Sequence, residues 1–250
     1  MSDTWKFETQ QIHAGAQPDP VTNARATPVY RTTAYVFNDA EHAKNLFALA
    51  EFGNIYTRIQ NPTQDVAEQR IAALEGGTAA LLLSSGQSAT TYAVLNIANA
   101  GDHIVSSRNI YGGTYNVLNL TMPRFGITTT FVDPRDPQAF ADAIRPETRL
   151  VFAETLGTPG IEVLDVSAVA AVAHAHGLPL AVDSTFATPY LLLLGLMLMC
   201  LNWVNTTGEY ILGSVIEDVA REAVAAGTAD GLTVEEYIGQ SRCSFWDLTQ

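Results

Sequence analysis

From about residue 62 onward, short apolar runs alternate with segments of helical periodicity, as in a parallel sheet whose strands are linked by helices. Strands are predicted at "AALLLSS", "HIVSS", "TTTFVD", "RLVFAE" and "LPLAVD". Each is a continuous apolar run, which is typical of strands covered on both faces. Helices are predicted at "NPTQDVAEQRIAALE", at "GQSATTYAVLNIANA", and over 112–122, 136–144 and 165–176. The pattern therefore predicts an α/β domain over residues 61–190.

The two ends of the chain differ from this central pattern. Residues 1–60 have weaker periodicity and several turn signals, which indicates an N-terminal arm with one short helix near 39–50. Residues 191–250 begin with "LLLLGLMLMCLNWV", which at 14 residues is shorter than the roughly 20 that cross a bilayer. This run is either a buried core segment or an interfacial one, and we expect it to cover the sheet edge left open after residue 190. An amphipathic helix is predicted at "YILGSVIEDVAREAVAAG".

Composition and charge exclude several classes of protein. A 47% hydrophobic fraction is typical of a globular domain with a large core, and a net charge of −13 argues against a nucleic-acid partner. The polar start "MSDTWKFETQ" lacks the apolar core of a signal peptide, so a cytoplasmic location and no membrane partner are expected. Two cysteines without a CxxC pattern, and His174 and His176 without a third ligand, predict no metal site.

Two of the predicted strands end in residues suited to binding a ligand. The first is followed by Gly86, Gln87 and Ser88 at the start of a helix, whose free N–H groups suit a phosphate, although such a turn also serves as an ordinary cap. Another ends in Asp183, where open α/β sheets place their ligands. A carboxylate buried there needs a cationic partner, such as a protonated pyridine nitrogen, unless it caps the next helix.

Two further stretches contain aromatic and basic candidates. Tyr111 follows a strand and could stack on a flat heterocycle or belong to the core. Tyr56 and Arg58 lie two residues apart on one side of an extended segment, where they could bind a phosphate or form a solvated surface pair.

Taken in this order, these stretches resemble the pyridoxal-phosphate enzymes of cysteine and methionine metabolism, and most closely the O-acetylhomoserine sulfhydrylases. The likeness covers about residues 5–190, including the arm and "AETLGTPGIEVLDV". It implies the large domain of a fold type I pyridoxal-phosphate-dependent transferase, truncated, with an N-terminal arm. It also implies γ-replacement, in which sulfide displaces the acetyl group of O-acetylhomoserine to give homocysteine and acetate.

The resemblance implies a role for each candidate residue. Backbone groups around Gly86, Gln87 and Ser88 would hold the cofactor phosphate, and Tyr111 would stack on the ring. Asp183 would hold the pyridine nitrogen protonated. Thr185 and Thr158 would contact the ring region. Thr158 occupies the position at which the family has Asn. Tyr56 and Arg58 would reach the phosphate site of a neighbouring subunit, which implies a homodimer or tetramer formed through the arm.

The catalytic lysine of the family has no counterpart here. The family continues from "DSTFATPYL" to a lysine that forms a Schiff base with the cofactor, whereas this chain has lysine only at Lys6 and Lys44. No catalytic residue is therefore assigned, and we expect the isolated chain to bind pyridoxal phosphate non-covalently at best and to be inactive. The alternatives are a non-catalytic cofactor-binding or subunit-assembly protein, and a lyase of the same family.

Overall fold

The computed structural model describes residues 5–77, 79–192, 198–204 and 209–213. The chain divides into two compact units, the first containing the described residues up to Leu74 and the second those from Glu75 onward. The arm predicted over residues 1–60 lies within the first unit.

The described residues of the first unit contain three helices, one more than the sequence pattern predicts there. They are α1 (Phe7–His13), α2 (Ala40–Phe47) and α3 (Pro62–Glu75). The predicted short helix is α2, which begins where the Asp39 side chain accepts a hydrogen bond from the backbone N–H of His42. Helix α1 was not predicted, and its seven residues are too few to show a clear apolar stripe.

The second unit contains a seven-stranded sheet with the strand order β1-β9-β8-β7-β4-β2-β3. Its strands are β1 (Ala80–Leu83), β2 (His103–Ser107), β3 (Thr128–Val132), β4 (Thr148–Glu154), β7 (Leu180–Asp183), β8 (Leu198–Val204) and β9 (Glu209–Gly213). Strands β5 (Leu156–Gly157) and β6 (Glu162–Val163) form a separate antiparallel pair. All five predicted strands are present.

The directions of the strands bring four loops to one edge of the sheet. Strands β2, β3, β4, β7 and β8 are parallel, and β9 is antiparallel to both β8 and β1, so β1 runs in the common direction. The loops that follow β1, β2, β4 and β7 therefore leave from the same, carboxyl edge. This is where ligands bind in open α/β sheets.

The helices among the described residues of the second unit are α4 (Gly86–Ile97), α5 (Gly112–Asn116), α6 (Pro137–Ala143), α7 (Val166–Ala175) and α8 (Thr188–Leu191). Of these, α4, α6 and α7 begin and end close to their predicted positions, α5 differs, and α8 was not predicted. The single helix predicted over 112–122 is α5 followed by a π-helical turn (Val117–Thr121) and a 3-10 turn (Met122–Phe125). Pro123 cannot donate the backbone hydrogen bond that would continue an α-helix, and Gly126 ends the segment with φ +78°.

One of the predictions for the tail is wrong where the structure describes it. The helix predicted from Tyr210 is wrong over its first residues, which belong to β9, and the rest of that prediction lies outside the described residues. Residues 198–204 form β8 between β7 and β9. Pairing with a neighbouring strand outweighs the helical periodicity of an isolated segment.

The main core lies between the sheet and helices α6 and α7. It contains fully buried side chains from both layers, including Val151 and Leu180 of the sheet, Phe140 of α6 and Val169 of α7. In the part of the chain that the structure describes, no helix is both long and apolar enough to cross a membrane.

Candidate functional site

A pocket of about 720 Å³ opens at the carboxyl edge of the sheet. The described residues that line it belong to the second unit, and they lie at the ends of β4 and β7 or in the segments that follow β1, β2, β4 and β7. The lining consists of Ser85, Gly86, Gln87, Tyr111, Glu154, Leu156, Thr158, Asp183, Thr185 and Phe186.

The loop after β1 brings the N-terminus of α4 to the pocket. The Ser85 hydroxyl caps the helix by accepting a hydrogen bond from the backbone N–H of Ser88 at 3.1 Å. Gly86 and Gln87 occupy the first turn, where backbone N–H groups have no partner within the helix. Helix α4 is 12 residues long, so its N-terminus offers these donors and a positive dipole end to an anion.

The loop after β2 places the Tyr111 ring beside α4. Tyr111 precedes α5, and the residue is 55% exposed. Gly113 makes room for the ring, since a Cβ at that position would lie 2.5 Å from Cε1 of Tyr111. The Gln87 side chain is fixed nearby, because its Nε2 donates to the Thr114 hydroxyl at 3.1 Å.

The end of β4 contributes Glu154, a buried carboxyl that holds two of the pocket residues. Its Oε1 accepts from the backbone N–H of Tyr111 at 2.6 Å, and its Oε2 accepts from the Thr158 hydroxyl at 3.1 Å. Burial raises the pKa of Glu154 to about 7, and the nearby charge of Asp183 adds to this rise, against the lowering effect of the hydrogen bonds.

Asp183 ends β7 in register with Glu154. Its Oδ1 accepts hydrogen bonds from both the backbone N–H and the hydroxyl of Thr185. Burial raises the pKa of Asp183 above its ordinary value, and the bonds from Thr185 oppose that rise. Asp183 does not cap the next helix, α8, whose N-cap is Ala187. Its carboxylate accepts from the turn that follows β7, and the residue lines the pocket.

The structure brings together six of the nine residues named as cofactor-binding. Gly86, Gln87, Tyr111, Thr158, Asp183 and Thr185 all line the pocket. Ser88 does not, and its hydroxyl bonds that of Ser85 at 2.8 Å. Tyr56 and Arg58 belong to the first unit, where the Arg58 guanidinium lies 5.0 Å from the centre of the Tyr56 ring. Their role in a neighbouring subunit stays a prediction.

The chemistry of the lining fits a flat cationic ring that carries a phosphate. None of the described lining residues is basic, so Asp183 and Glu154 have no cationic side chain within the pocket wall. A protonated ring nitrogen would provide the missing positive charge, and the start of α4 would receive the phosphate. Pyridoxal phosphate has both features.

Glu154 is the functional candidate that sequence reasoning missed. It ends the strand "RLVFAE" as Asp183 ends "LPLAVD", so the signal was present in the chain. The strand order, which makes β4 and β7 neighbours, was needed to show that the two carboxyls belong to one site.

Curated sequences and solved structures place this chain among known proteins. It is 54% identical over 191 residues to an O-acetyl-L-homoserine sulfhydrylase of Leptospira meyeri, covering 76% of this chain and 43% of that protein. It is 53% identical over 180 residues to a homocysteine synthase of Schizosaccharomyces pombe, and this match covers 72% of this chain and 42% of that protein. The chain thus spans less than half the length of these relatives.

Two solved structures share the fold. A putative O-acetylhomoserine (thiol)-lyase from Campylobacter jejuni, whose structure contains a pyridoxyl-lysine monophosphate, superposes with a TM-score of 0.81 at 32% identity. The match covers 84% of this chain and 54% of that one. A cystathionine gamma-lyase from Lactobacillus plantarum in complex with L-serine superposes with a TM-score of 0.76 at 30% identity. That match covers 95% of this chain and 58% of the other.

The family model for Cys/Met metabolism PLP-dependent enzymes matches residues 8–215, which extends beyond residue 190, where the resemblance was expected to end. The match covers most of the chain and includes every residue of the pocket. This chain therefore belongs to the Cys/Met metabolism family of pyridoxal-phosphate-dependent enzymes, and its fold is that of fold type I.

Proposed function

We propose that this chain carries the cofactor pocket of an O-acetylhomoserine sulfhydrylase, the enzyme that replaces the acetyl group of O-acetylhomoserine by sulfide. The observation that supports this most directly is the pocket at the carboxyl edge, where the first turn of α4, the Tyr111 ring and the carboxyls of Glu154 and Asp183 meet. The relatives named as sulfhydrylases and homocysteine synthases support the choice of reaction over a lyase.

Five of the residues that line the pocket have a defined task in this proposal. The backbone N–H groups of Gly86 and Gln87 bind the phosphate, and the Tyr111 ring stacks on the pyridine ring. Asp183, held in place by Thr185, keeps the ring nitrogen protonated. The bound cofactor supplies an electron sink for chemistry at the substrate's carbon atoms.

The covalent part of the family's chemistry is not assigned to this chain. Lys6 and Lys44 are its only lysines, and neither is among the described residues that line the pocket. We therefore propose that the 250-residue chain binds pyridoxal phosphate non-covalently and does not turn over substrate alone. This favours a second candidate, a non-catalytic cofactor-binding or assembly protein that pairs with another subunit through Tyr56 and Arg58. A homo-oligomer in the cytoplasm is part of both proposals.

The test is to titrate the purified chain with pyridoxal phosphate, reduce it with borohydride and measure its intact mass. Saturable fluorescence quenching without a mass adduct is the expected result, and Asp183→Asn should weaken binding while Asp165→Asn, on a helix cap outside the pocket lining, should not. A stoichiometric adduct lost in Lys6→Arg or Lys44→Arg would refute non-covalent binding. Absence of saturable binding would refute the cofactor site.

A further inference from the structure

The Glu154 carboxyl makes two hydrogen bonds to which the proposed function gives no role. It is 6% exposed, its Oε1 is occupied by the Tyr111 backbone N–H, and its Oε2 by the Thr158 hydroxyl. Thr158 lines the pocket, so the partner of this carboxyl is also a group that a ligand can contact.

The direction of the bond between Glu154 and Thr158 depends on one proton. A threonine hydroxyl has one hydrogen to donate and two lone pairs that accept. When Glu154 is ionised, its carboxylate can only accept hydrogen bonds. The hydroxyl hydrogen of Thr158 then points to Oε2 and is not available to a ligand in the pocket. When Glu154 is protonated, its own O–H can donate to Thr158 Oγ1, and the threonine hydrogen is free to donate elsewhere.

The groups around Glu154 allow both states near neutral pH. Asp183, its register partner on β7, is the charged side chain that faces it across the sheet and disfavours a second negative charge. The loop after β2 contributes the neutral backbone N–H of Tyr111, and the turn between β5 and β6 contributes Thr158. Burial raises the pKa of Glu154 to about 7, which supports a titration in the accessible range.

We propose that Glu154 and Thr158 form a proton-controlled pair in which protonation of Glu154 releases the Thr158 hydroxyl to donate to an oxygen of the bound pyridoxal phosphate. The proton comes from solvent and returns to it. Glu154 is a positioning residue, because it acts on the ligand through Thr158. This proposal rests on the proposed function of the pocket.

The binding test uses 4-deoxypyridoxine 5′-phosphate, which lacks the aldehyde and so cannot react with Lys6 or Lys44. Its Kd is measured between pH 6 and 8.5 for the wild-type chain, Glu154→Gln, Thr158→Val and Thr158→Ser. The amide introduced by Glu154→Gln can donate to Thr158 as a protonated glutamate would, so this variant should keep its low-pH affinity throughout. The ligand's own titrations are common to all four proteins.

The wild-type chain should show an additional affinity loss of roughly tenfold as the pH rises through 7, the size expected for one hydrogen bond. Thr158→Val should bind weakly at every pH and lack this step, whereas Thr158→Ser should retain it. A step of unchanged size in Thr158→Val would mean that the bare charge of Glu154 acts on the ligand, and would overturn the proposal.

A ligand-free measurement separates this inference from the proposed function. Infrared titration of the full chain should show a protonated carboxyl band that disappears near pH 7 and is missing in Glu154→Gln. Thr158→Val removes a donor to the carboxylate and should move this titration to higher pH. If the Glu154 titration did not move in Thr158→Val, the proposed pairing of Glu154 with Thr158 would be overturned. If it moved but the chain bound no ligand, only the cofactor proposal would be refuted.

Discussion

Glu154 and Asp183 are register partners at the carboxyl ends of the parallel strands β4 and β7. Side chains at paired positions of neighbouring strands lie on the same face of a sheet, so the fold holds two acids side by side under the pocket. Burial raises the pKa of both carboxyls. Folding therefore costs free energy whenever both groups are ionised, a cost that a bound ring cation would offset.

The first prediction concerns how Glu154 changes stability with pH. Its pKa rises from an ordinary 4.5 to about 7 on folding, so the folded state binds more protons between these values and the free energy of unfolding falls as pH rises through them. A rise of this size corresponds to roughly 3 kcal/mol. Glu154→Gln should remove this fall, as measured by urea unfolding from pH 4 to 8. An unchanged slope would show that folding does not raise the pKa of Glu154.

His103 should have the opposite pH dependence. It is 1% exposed at the start of β2, and its two ring nitrogens bond the hydroxyls of Thr148 at 2.8 Å and Thr130 at 2.9 Å. Burial, with a smaller contribution from the positive charge of Arg145, lowers the pKa of His103 to about 4.

The unfolded state therefore binds more protons between pH 4 and 6.5, and the His103 contribution to the free energy of unfolding rises with pH over that window. Replacing the ring by an uncharged group, His103→Gln, should remove the rise and expose the falling contribution of Glu154. The same urea series measures it. A steeper rise in the variant than in the wild-type chain would contradict the assignment.

A third prediction uses two adjacent glycines at the start of α5. A Cβ added at Gly113 would lie 2.5 Å from Cε1 and 3.1 Å from Cδ1 of the Tyr111 ring, so Gly113→Ala must displace the ring. Gly112→Ala is the matched control, because a Cβ there meets nothing within 4 Å. We expect about a tenfold weaker Kd for pyridoxal phosphate in Gly113→Ala, since base stacking on an aromatic ring contributes about 1–3 kcal/mol. Equal effects of the two substitutions would argue against stacking on Tyr111.

Features of the fold and the site can be predicted from the sequence when residues close together along the chain determine them. The apolar run "LPLAVD" and the helix that starts at Pro62 are encoded by neighbouring residues, and both form as predicted. Asp183 could be chosen as a site residue for the same reason, because its place at a strand end is visible along the chain.

Features that depend on distant partners could not be predicted in this way. Tyr210 lies in a segment of helical periodicity, yet it pairs in β9 opposite Leu83 of β1. The importance of Glu154 depends on β4 and β7 being neighbours, and on the loop that carries Tyr111 returning to its carboxyl. The order of the strands and the position of the loop that carries Tyr111 are tertiary properties. The spacing of residues along the chain does not reveal them.

The last prediction separates the structural role of Ser85 from its role in binding. Its hydroxyl caps α4 by accepting from the Ser88 N–H, just as the Asp165 carboxylate caps α7 by accepting from the Ala168 N–H at 3.0 Å. Losing either cap should lower the free energy of unfolding by about 1 kcal/mol. Only Ser85 lines the pocket, so Ser85→Ala should also weaken binding of pyridoxal phosphate by several-fold, whereas Asp165→Ala should leave the Kd unchanged.

Urea unfolding measures the stability of the wild-type chain, Ser85→Ala and Asp165→Ala, and fluorescence titration measures their Kd for pyridoxal phosphate. If the two variants lost stability equally and neither changed the Kd, Ser85 would be a cap alone, and the phosphate would depend on the backbone N–H groups of Gly86 and Gln87. A loss of affinity in Asp165→Ala as large as in Ser85→Ala would mean that global stability controls binding, which would contradict a local contact between the start of α4 and the phosphate.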